Sequence, residues 1–118
     1  MNVILTRKLQ RCLEDNDDCY DLQDIMDGIQ DGTLQSFAQG DTWIVTQVGD
    51  YPRRKVVHVL MVVGNWDEFV AATPILQDFA REIGATLITA SGRDGWRRKL
   101  PPGWKIGGSI YSMEIEDE

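Results

Sequence analysis

"VVHVLMVV", residues 56–63, is the stretch that decides the fold. Both of its alternating sets of residues are largely apolar, and the one polar member, His58, is the single histidine of the chain. A strand that is apolar on both faces belongs in the middle of a sheet that is covered on both sides. We therefore expect a central strand here, and we expect His58 to be a packed residue of the core or its rim rather than a catalyst.

The segment after this strand, "NWDEFVAATPILQDFAREIG" (65–84), carries apolar residues at helical spacing. Pro74 interrupts the pattern, so we expect a short first piece, a break near Thr73 and a helix from Pro74 to Gly84. "ATLITAS" (85–91) then predicts another strand. A right-handed crossover through the helix makes this strand parallel to the central one.

Three further strands are predicted from alternating apolar residues. "LQSFA" (34–38) and "TWIVTQV" (42–48) form an antiparallel hairpin through the turn "QGD", and the turn "GDYPRRK" leads into the central strand. "WKIGGSIYSMEI" (104–115) predicts a closing strand. One face of that strand carries three apolar side chains, Tyr111, Met113 and Ile115.

Two helices are predicted before the hairpin. They are "ILTRKLQRCLED" (4–15) and "NDDCYDLQDIMDGIQDGT" (16–33), the second capped by Asn16 or Asp17. Residues 14–31 hold eight acids and no base. We interpret these acids as a solvated helix face, because the spacing and terminal glutamate of a calcium loop are missing. No metal site is therefore expected.

The order of these elements predicts the α/β class: a sandwich with a mixed, mostly antiparallel sheet and helices on both faces. The 118 residues suit one domain, residues 1–118, with an acidic tail at 114–118. No apolar run approaches the roughly 20 residues of a membrane helix, and "MNVIL" is too short for a signal peptide. We expect an intracellular protein with no membrane partner.

The net charge of -7 argues against general nucleic-acid binding, which depends on clustered bases that neutralise phosphates. "SGRDGWRRKLPPGWK" (91–105) is the exception, with five bases, one acid and two tryptophans. Tryptophan and arginine are enriched where interfaces bind most strongly. We predict a rigid aromatic corner with a basic edge that binds a partner, formed by Arg93, Trp96, Arg97, Arg98, Lys99 and Trp104. The alternative for both tryptophans is burial in the core.

The order of elements resembles the GNAT acetyltransferase fold over nearly the whole chain. Three stretches are more specifically similar to short GNAT-like proteins of tailed bacteriophages, some of them called internal virion proteins and others acetyltransferases: "DTWIVTQVGDYPRRKVVHVLMVVG" (41–64), "LQDFAREIGA" (76–85) and "GRDGWRRKLPPGWKIGGSIYSMEI" (92–115). The resemblance implies a location in the virion or the host cytoplasm. It also implies a capsid, portal or tail protein as partner, with the protein itself as a further candidate.

The residues that a GNAT enzyme needs are not recognisable. Such an enzyme holds the pyrophosphate of coenzyme A on backbone N–H groups of a glycine-rich loop at a helix start. The matching stretch, "VVGNWDEFVAA" (62–72), has one glycine, and its Asp67 and Glu68 repel a pyrophosphate. The tyrosine that protonates the departing thiolate has no counterpart in "GWRRKLPPGW" (95–104). Glu68 and His58 are conceivable bases, but no catalytic residue and no cofactor is expected.

The leading hypothesis is a non-enzymatic phage structural or assembly protein that uses a degenerate acetyltransferase-like domain as a protein-binding module in the virion. One alternative is a divergent GNAT N-acetyltransferase that acts on a protein, and it alone requires acetyl-CoA. The other is a host-takeover inhibitor that binds a host protein through its acidic helix.

Overall fold

The computed structural model of the chain describes residues 3–16, 19–91, 96, 98–108 and 111–116. Within these ranges the chain forms three helices and four strands: α1 (Val3–Asp15), α2 (Leu22–Asp31), β1 (Leu34–Gln39), β2 (Thr42–Asp50), β3 (Lys55–Val63), α3 (Trp66–Glu82) and β4 (Leu87–Ala90). None of these helices combines the length and the apolarity that crossing a bilayer requires.

The four strands form one mixed sheet in the order β1-β2-β3-β4. The pairs β1–β2 and β2–β3 are antiparallel, and β3–β4 is parallel with Val56 opposite Leu87 and Val59 opposite Ala90. β3 therefore lies inside the sheet, and its Val57 and Val59 are fully buried. The predicted α/β class, the mostly antiparallel sheet and the parallel pair across the long helix are confirmed.

Helices cover both faces of the sheet, as predicted. One face packs on α1 and α2 through a cluster that includes Leu9, Leu13, Ile25, Val45 and Leu60. The opposite face packs on α3 through a cluster that includes Ile44, Val59, Phe69, Ala72 and Leu76. The apolar residues of β3 thus serve two separate clusters, which is why both of its alternating sets had to be apolar.

The predicted start of the second helix is wrong. Asn16 was expected to cap it, but α2 begins at Leu22 and Asp21 is its N-cap. The Asp21 carboxylate accepts a hydrogen bond from the backbone N–H of Asp24 at 2.8 Å, and the Asp24 carboxylate accepts one from the backbone N–H of Asp21 at 3.0 Å. This reciprocal capping fixes the start of the helix locally. Asp17, the other expected cap, lies outside the described residues.

The expected break in the long helix is also wrong. α3 is continuous from Trp66 to Glu82 with Pro74 inside it. Proline removes the backbone donor that would bond the Val70 carbonyl, and the Thr73 hydroxyl adds a hydrogen bond to the carbonyl of Phe69 at 3.4 Å. The buried side of the helix continues past the proline, with Leu76 fully buried. Packing of this apolar face keeps the helix intact.

The predicted closing strand does not form in the described residues 104–108 and 111–116. Its three apolar side chains are instead exposed, with 91% of Tyr111, 84% of Met113 and 87% of Ile115 accessible. The pattern of the segment is that of a strand, but no described neighbour covers its apolar face. β4 is therefore an edge of the described sheet.

Candidate functional site

Four aromatic rings, which we call the aromatic corner, cluster beside the start of α3: Trp66, Phe69, Trp96 and Trp104. Trp96 lies 5.0 Å from Trp66 and 5.8 Å from Phe69 between ring centroids, and Trp104 lies 6.2 Å from Phe69. Phe69 is buried, whereas both Trp96 and Trp104 are half-buried. The two tryptophans thus combine the predicted core packing with surface that remains exposed.

Tight turns after β4 bring Trp96 and Trp104 to the ring of Phe69. The backbone N–H of Lys99 donates to the carbonyl of Trp96 at 3.0 Å, and that of Trp104 donates to Pro101 at 3.3 Å. Gly103 has a φ of 97°, a left-handed conformation that glycine adopts without strain. The sequence "PPGW" (101–104) thus turns the chain at this corner.

The basic edge of the corner is only partly described. Arg98 and Lys99 are exposed and form no ion pair within the described part of the chain. Arg93 and Arg97 lie outside the described residues. Of the six predicted site residues, the structure therefore places four at one corner, and partner binding there stays a prediction.

The start of α3 is closed by the chain's own side chains. Asn65 is the N-cap, and its Oδ1 accepts a hydrogen bond from the backbone N–H of Glu68 at 2.9 Å. Asp67 and Glu68 occupy the first turn. Carboxylates at this end of a helix offset its positive dipole. The helix start thus presents an occupied N–H group and negative charge to any anion that approaches it.

Glu68, one of the two conceivable bases, is a structural residue. Its carboxylate accepts hydrogen bonds from Thr42 Oγ1 at 2.9 Å, Asn65 Nδ2 at 2.6 Å and the backbone N–H of Asp41 at 3.2 Å. These bonds fasten the start of α3 to the β1–β2 turn.

A Cβ atom at Gly64 would overlap the side chain of Thr42, so glycine is required where the chain leaves β3 for the helix.

β3 has a bulge in its middle. Val45 of β2 faces Met61 and Thr46 faces Val59, so Leu60 is an extra residue on β3. The bulge puts Leu60 and Met61 into the same buried cluster, beneath α1 and α2. β4 pairs with residues 56–59 alone, and beyond them β3 has no strand neighbour on that side among the described residues.

The backbone carbonyls of Leu60, Val62 and Gly64 lie along the edge of β3 that has no described strand neighbour, and we call this edge the β3 free edge. Side chains of α1 and of the residue after it cover these carbonyls. Three side chains donate hydrogen bonds to them: Lys8 Nζ to Gly64 at 3.1 Å, Cys12 Sγ to Val62 at 3.2 Å and Asn16 Nδ2 to Leu60 at 3.2 Å. Four residues of a helix rise about 6 Å, and two residues of a strand rise about 6.6 Å. The spacing of the donor side chains therefore matches the spacing of the acceptor carbonyls on β3, and α1 supplies the hydrogen bonds that a neighbouring strand would otherwise supply.

His58, the other conceivable base, has a structural partner as well. Its Nδ1 lies 2.7 Å from the hydroxyl of Thr89 on the neighbouring strand. Burial lowers the pKa of His58 below its usual 6.5 because desolvation disfavours the charged imidazolium. His58 lies five residues before the end of β3, about 16 Å along the strand. The structure does not bring His58 and Glu68 together as an acid–base pair.

Three of the eight acids that were predicted to form a solvated helix face lie on α2. Asp24, Asp27 and Asp31 are exposed. Hydrogen bonds from the side chain and backbone of Thr33 lower the pKa of Asp31. Within the described ranges no group of three or more histidine, cysteine, aspartate or glutamate side chains is arranged to hold a metal ion.

Sequence reasoning missed one feature, an open pocket of about 550 Å³. We call it the β4 pocket. It is lined by the turn of residues 51–54 together with Val56, Leu87 and Thr89. The turn contributes two adjacent bases, Arg53 and Arg54, and both are exposed. The consecutive arginines of "YPRR" (51–54) are the sequence signal at this pocket, although the pattern by itself predicts only a turn.

Comparison with known proteins supports the fold and goes no further. No protein-family model matches the sequence, and no curated protein matches it. A crystal structure of an acetyltransferase from Trypanosoma brucei has a similar fold, with a TM-score of 0.55 and 15% sequence identity. The match covers 92% of this chain and 94% of that one. The chain therefore has an acetyltransferase-like α/β fold, and function must be argued from its own residues.

Proposed function

We propose that the protein is a binding module built on an acetyltransferase-like fold, without acetyl transfer. The observation that carries the proposal is the closed start of α3, where Asn65 caps the helix and Glu68 is bonded to the β1–β2 turn. A pyrophosphate there would compete with Asn65 for a backbone N–H group and approach two carboxylates, Asp67 and Glu68. Both effects oppose anion binding.

The covered β3 free edge supports the same proposal. An extended ligand with amide groups binds beside a strand through the strand's unpaired edge groups. At Leu60, Val62 and Gly64 the edge carbonyls already accept hydrogen bonds from α1. Such a ligand, the arm of coenzyme A included, would have to displace α1, whose Leu9 and Leu13 are buried.

The aromatic corner and its basic edge are the surface we assign to a protein partner. Trp96 and Trp104 pack on Phe69 yet are half-exposed, and Arg98 and Lys99, which lie between them in the sequence, are exposed. Rigid aromatic rings next to arginine are the groups that dominate protein interfaces. A partner with carboxylates fits this edge.

The finer part of the proposal is a structural or assembly protein of a tailed bacteriophage. It is supported by the resemblance of the "YPR" turn and of residues 92–115 to such phage proteins. The partner is then a capsid, portal or tail protein, and the location is the virion or the host cytoplasm. Mass spectrometry of purified phage particles tests this part, because a free cytoplasmic factor would be absent from them.

Acetyl-CoA provides the direct test of the non-enzymatic part. A ligand that binds only the folded state adds about 2.7 kcal/mol of stability at 100 times its dissociation constant. We expect no rise of the melting temperature with acetyl-CoA relative to the same concentration of inorganic pyrophosphate. A rise with acetyl-CoA alone would favour the divergent acetyltransferase instead.

Charge reversal at the basic edge tests the binding surface. Arg98→Glu with Lys99→Glu should leave stability within about 0.5 kcal/mol, as exposed substitutions do, yet reduce incorporation into particles. The matched control is Arg7→Glu with Arg11→Glu, which changes the net charge equally on exposed positions of α1. Equal incorporation of both variants and the parent would contradict the assignment of this surface.

A further inference from the structure

The β4 pocket lies where the helices on one face of the sheet end. Ile88 and Ala90 of β4 pack towards α3, so Leu87 and Thr89, which alternate with them, lie on the opposite face. On that face α1 and α2 pack on a cluster that includes Leu60 of β3 and none of the residues that line the β4 pocket. Among the described residues, the helices thus leave a hollow of about 550 Å³ beside β4.

Apolar surface lines most of the pocket. Val56 is 6% exposed and pairs with Leu87 across the parallel strands. The ring of Tyr51 lies against Gly49, the residue opposite Val56 on β2, since a Cβ atom at Gly49 would lie 2.9 Å from that ring. The ring nevertheless remains accessible, with 63% of Tyr51 exposed. The volume is within the range of about 300–1,000 Å³ that holds small ligands.

Positive charge lies at the end of the pocket where β4 begins. Arg54 donates from Nε to the Thr86 hydroxyl at 3.2 Å and from Nη2 to the Thr86 carbonyl at 2.8 Å, which fixes its guanidinium. Neither Arg53 nor Arg54 forms an ion pair within the described part of the chain, and none of the described lining residues is acidic. Asp50, at the base of the same turn, pairs with Lys55 at 3.8 Å. The two arginines are therefore left without a described counter-charge at an apolar surface.

We propose that the β4 pocket binds a small carboxylate with an apolar body. The carboxylate pairs with Arg53 and Arg54, and the body lies on Tyr51, Val56 and Leu87. The remaining N–H groups of Arg54, on Nη1 and Nη2, form the fork that binds a carboxylate through two parallel hydrogen bonds. A phosphate brings nearly two charges at neutral pH, and its desolvation beside apolar surface costs more than that of one carboxylate.

The two ends of the pocket set the length of the ligand. From Thr86, which holds Arg54, to Thr89 the strand rises about 10 Å. The Thr89 hydroxyl lies 2.7 Å from Nδ1 of His58 and is already engaged there, so the far end calls for no second charge. A phenyl ring joined to a carboxylate by three carbons suits this span. Because the site includes neither the aromatic corner nor the start of α3, it stands apart from the proposed function.

Nuclear magnetic resonance titration of the isotope-labelled full chain with 4-phenylbutanoate tests the proposal. We expect saturable shifts of backbone amides within residues 51–56 and 86–89. Binding should be at least about tenfold tighter than that of 4-phenylbutanamide, which lacks the charge, because about 1.4 kcal/mol of charge-assisted hydrogen bonding gives that factor. Acetate, which lacks the apolar body, should bind more weakly by at least the same factor.

Variants of the two arginines locate the carboxylate. Arg53→Gln with Arg54→Gln should weaken 4-phenylbutanoate at least about tenfold. The matched control, Arg7→Gln with Arg11→Gln, removes the same charge from exposed positions of α1 and should leave binding unchanged. If the double variant at the pocket does not fold, Arg53→Gln alone should weaken binding about threefold, as loss of an exposed ion pair does.

Three results would overturn the proposal. They are shifts confined to other parts of the chain, equal binding of the uncharged amide, and equal weakening by the pocket variant and its control. Shifts of the same residues when the protein alone is concentrated would also overturn it, because a second copy of the chain would then fill the pocket.

Discussion

The two halves of β3 have similar sequences and different neighbours. "VVHV" (56–59) lies between β2 and β4, whereas "LMVV" (60–63) has β2 on one side and α1 on the other. Apolar alternation reports that a strand is covered, and it does not report what satisfies the backbone at the strand's edges. In the first half a strand supplies those hydrogen bonds, and in the second half helix side chains supply them.

Leu60→Ala should have the largest effect on this comparison. Leu60 is the extra residue of the bulge and is 6% exposed beneath α1. Removing a buried leucine side chain costs about 2–5 kcal/mol. Urea unfolding of the parent and the variant measures the difference, with Leu22→Ala as the exposed control on α2. An unchanged midpoint for Leu60→Ala would mean that α1 does not pack on the second half of β3.

Asn16→Ala should have an intermediate effect. The Asn16 amide donates to Leu60 of the β3 free edge at 3.2 Å and to Cys12 at the end of α1 at 2.9 Å. Each hydrogen bond contributes about 0.5–1.5 kcal/mol net. Gln10→Ala is the matched control, because Gln10 is exposed and its side-chain amide donates to Glu14 within α1 itself. If Asn16→Ala and Gln10→Ala lose equally little stability in urea, the hydrogen bonds from the α1 side to the β3 free edge do not stabilise the fold as those of a neighbouring strand would.

His58→Gln tests the first half of β3, where His58 lies, and should have the smallest effect on the free energy of unfolding. Burial lowers the folded-state pKa of His58 below 6.5, so the folded chain protonates less readily than the unfolded chain. This difference in pKa between the two states stabilises the folded chain. The stabilisation is complete above pH 6.5 and is lost as the pH falls through the lowered folded-state pKa. We expect the parent to lose stability on going from about pH 7 to about pH 5, and the variant to lose less.

Parallel denaturant titrations at the two pH values measure this difference. Carboxylates contribute equally to both chains, since the substitution leaves all of them in place. Thr89→Val, which removes the hydroxyl beside His58 Nδ1 without changing its burial, provides the control. It should retain the pH dependence of the parent. Identical pH dependence in the parent and His58→Gln would show that the imidazole is no less readily protonated in the folded chain.

Much of the fold could be predicted because it depends on burial. The apolar faces of β3 required helices on both sides, and the long helix between two strands required a parallel crossover. Each of these predictions used a property that a short window of sequence carries.

The errors share a different cause. The helix through Pro74 persists because Phe69 and Leu76 pack on the sheet, which no local signal shows. The closing strand has the right alternation, but a strand needs a partner, and the described sheet supplies none at residues 111–116. Likewise, Glu68 looked like a free acid at a helix start because its partner Thr42 lies 26 residues away.

The covering of the β3 free edge by α1 has a consequence for the order of events during synthesis. The three hydrogen bonds join residues 56, 50 and 44 positions apart, so α1 leaves the ribosome long before the strand it covers. Closing such long loops is slow compared with forming the adjacent β1–β2 hairpin. We expect the backbone amides of α1 to be the last to gain protection in a pulse-labelled refolding experiment, although they are made before those of β3.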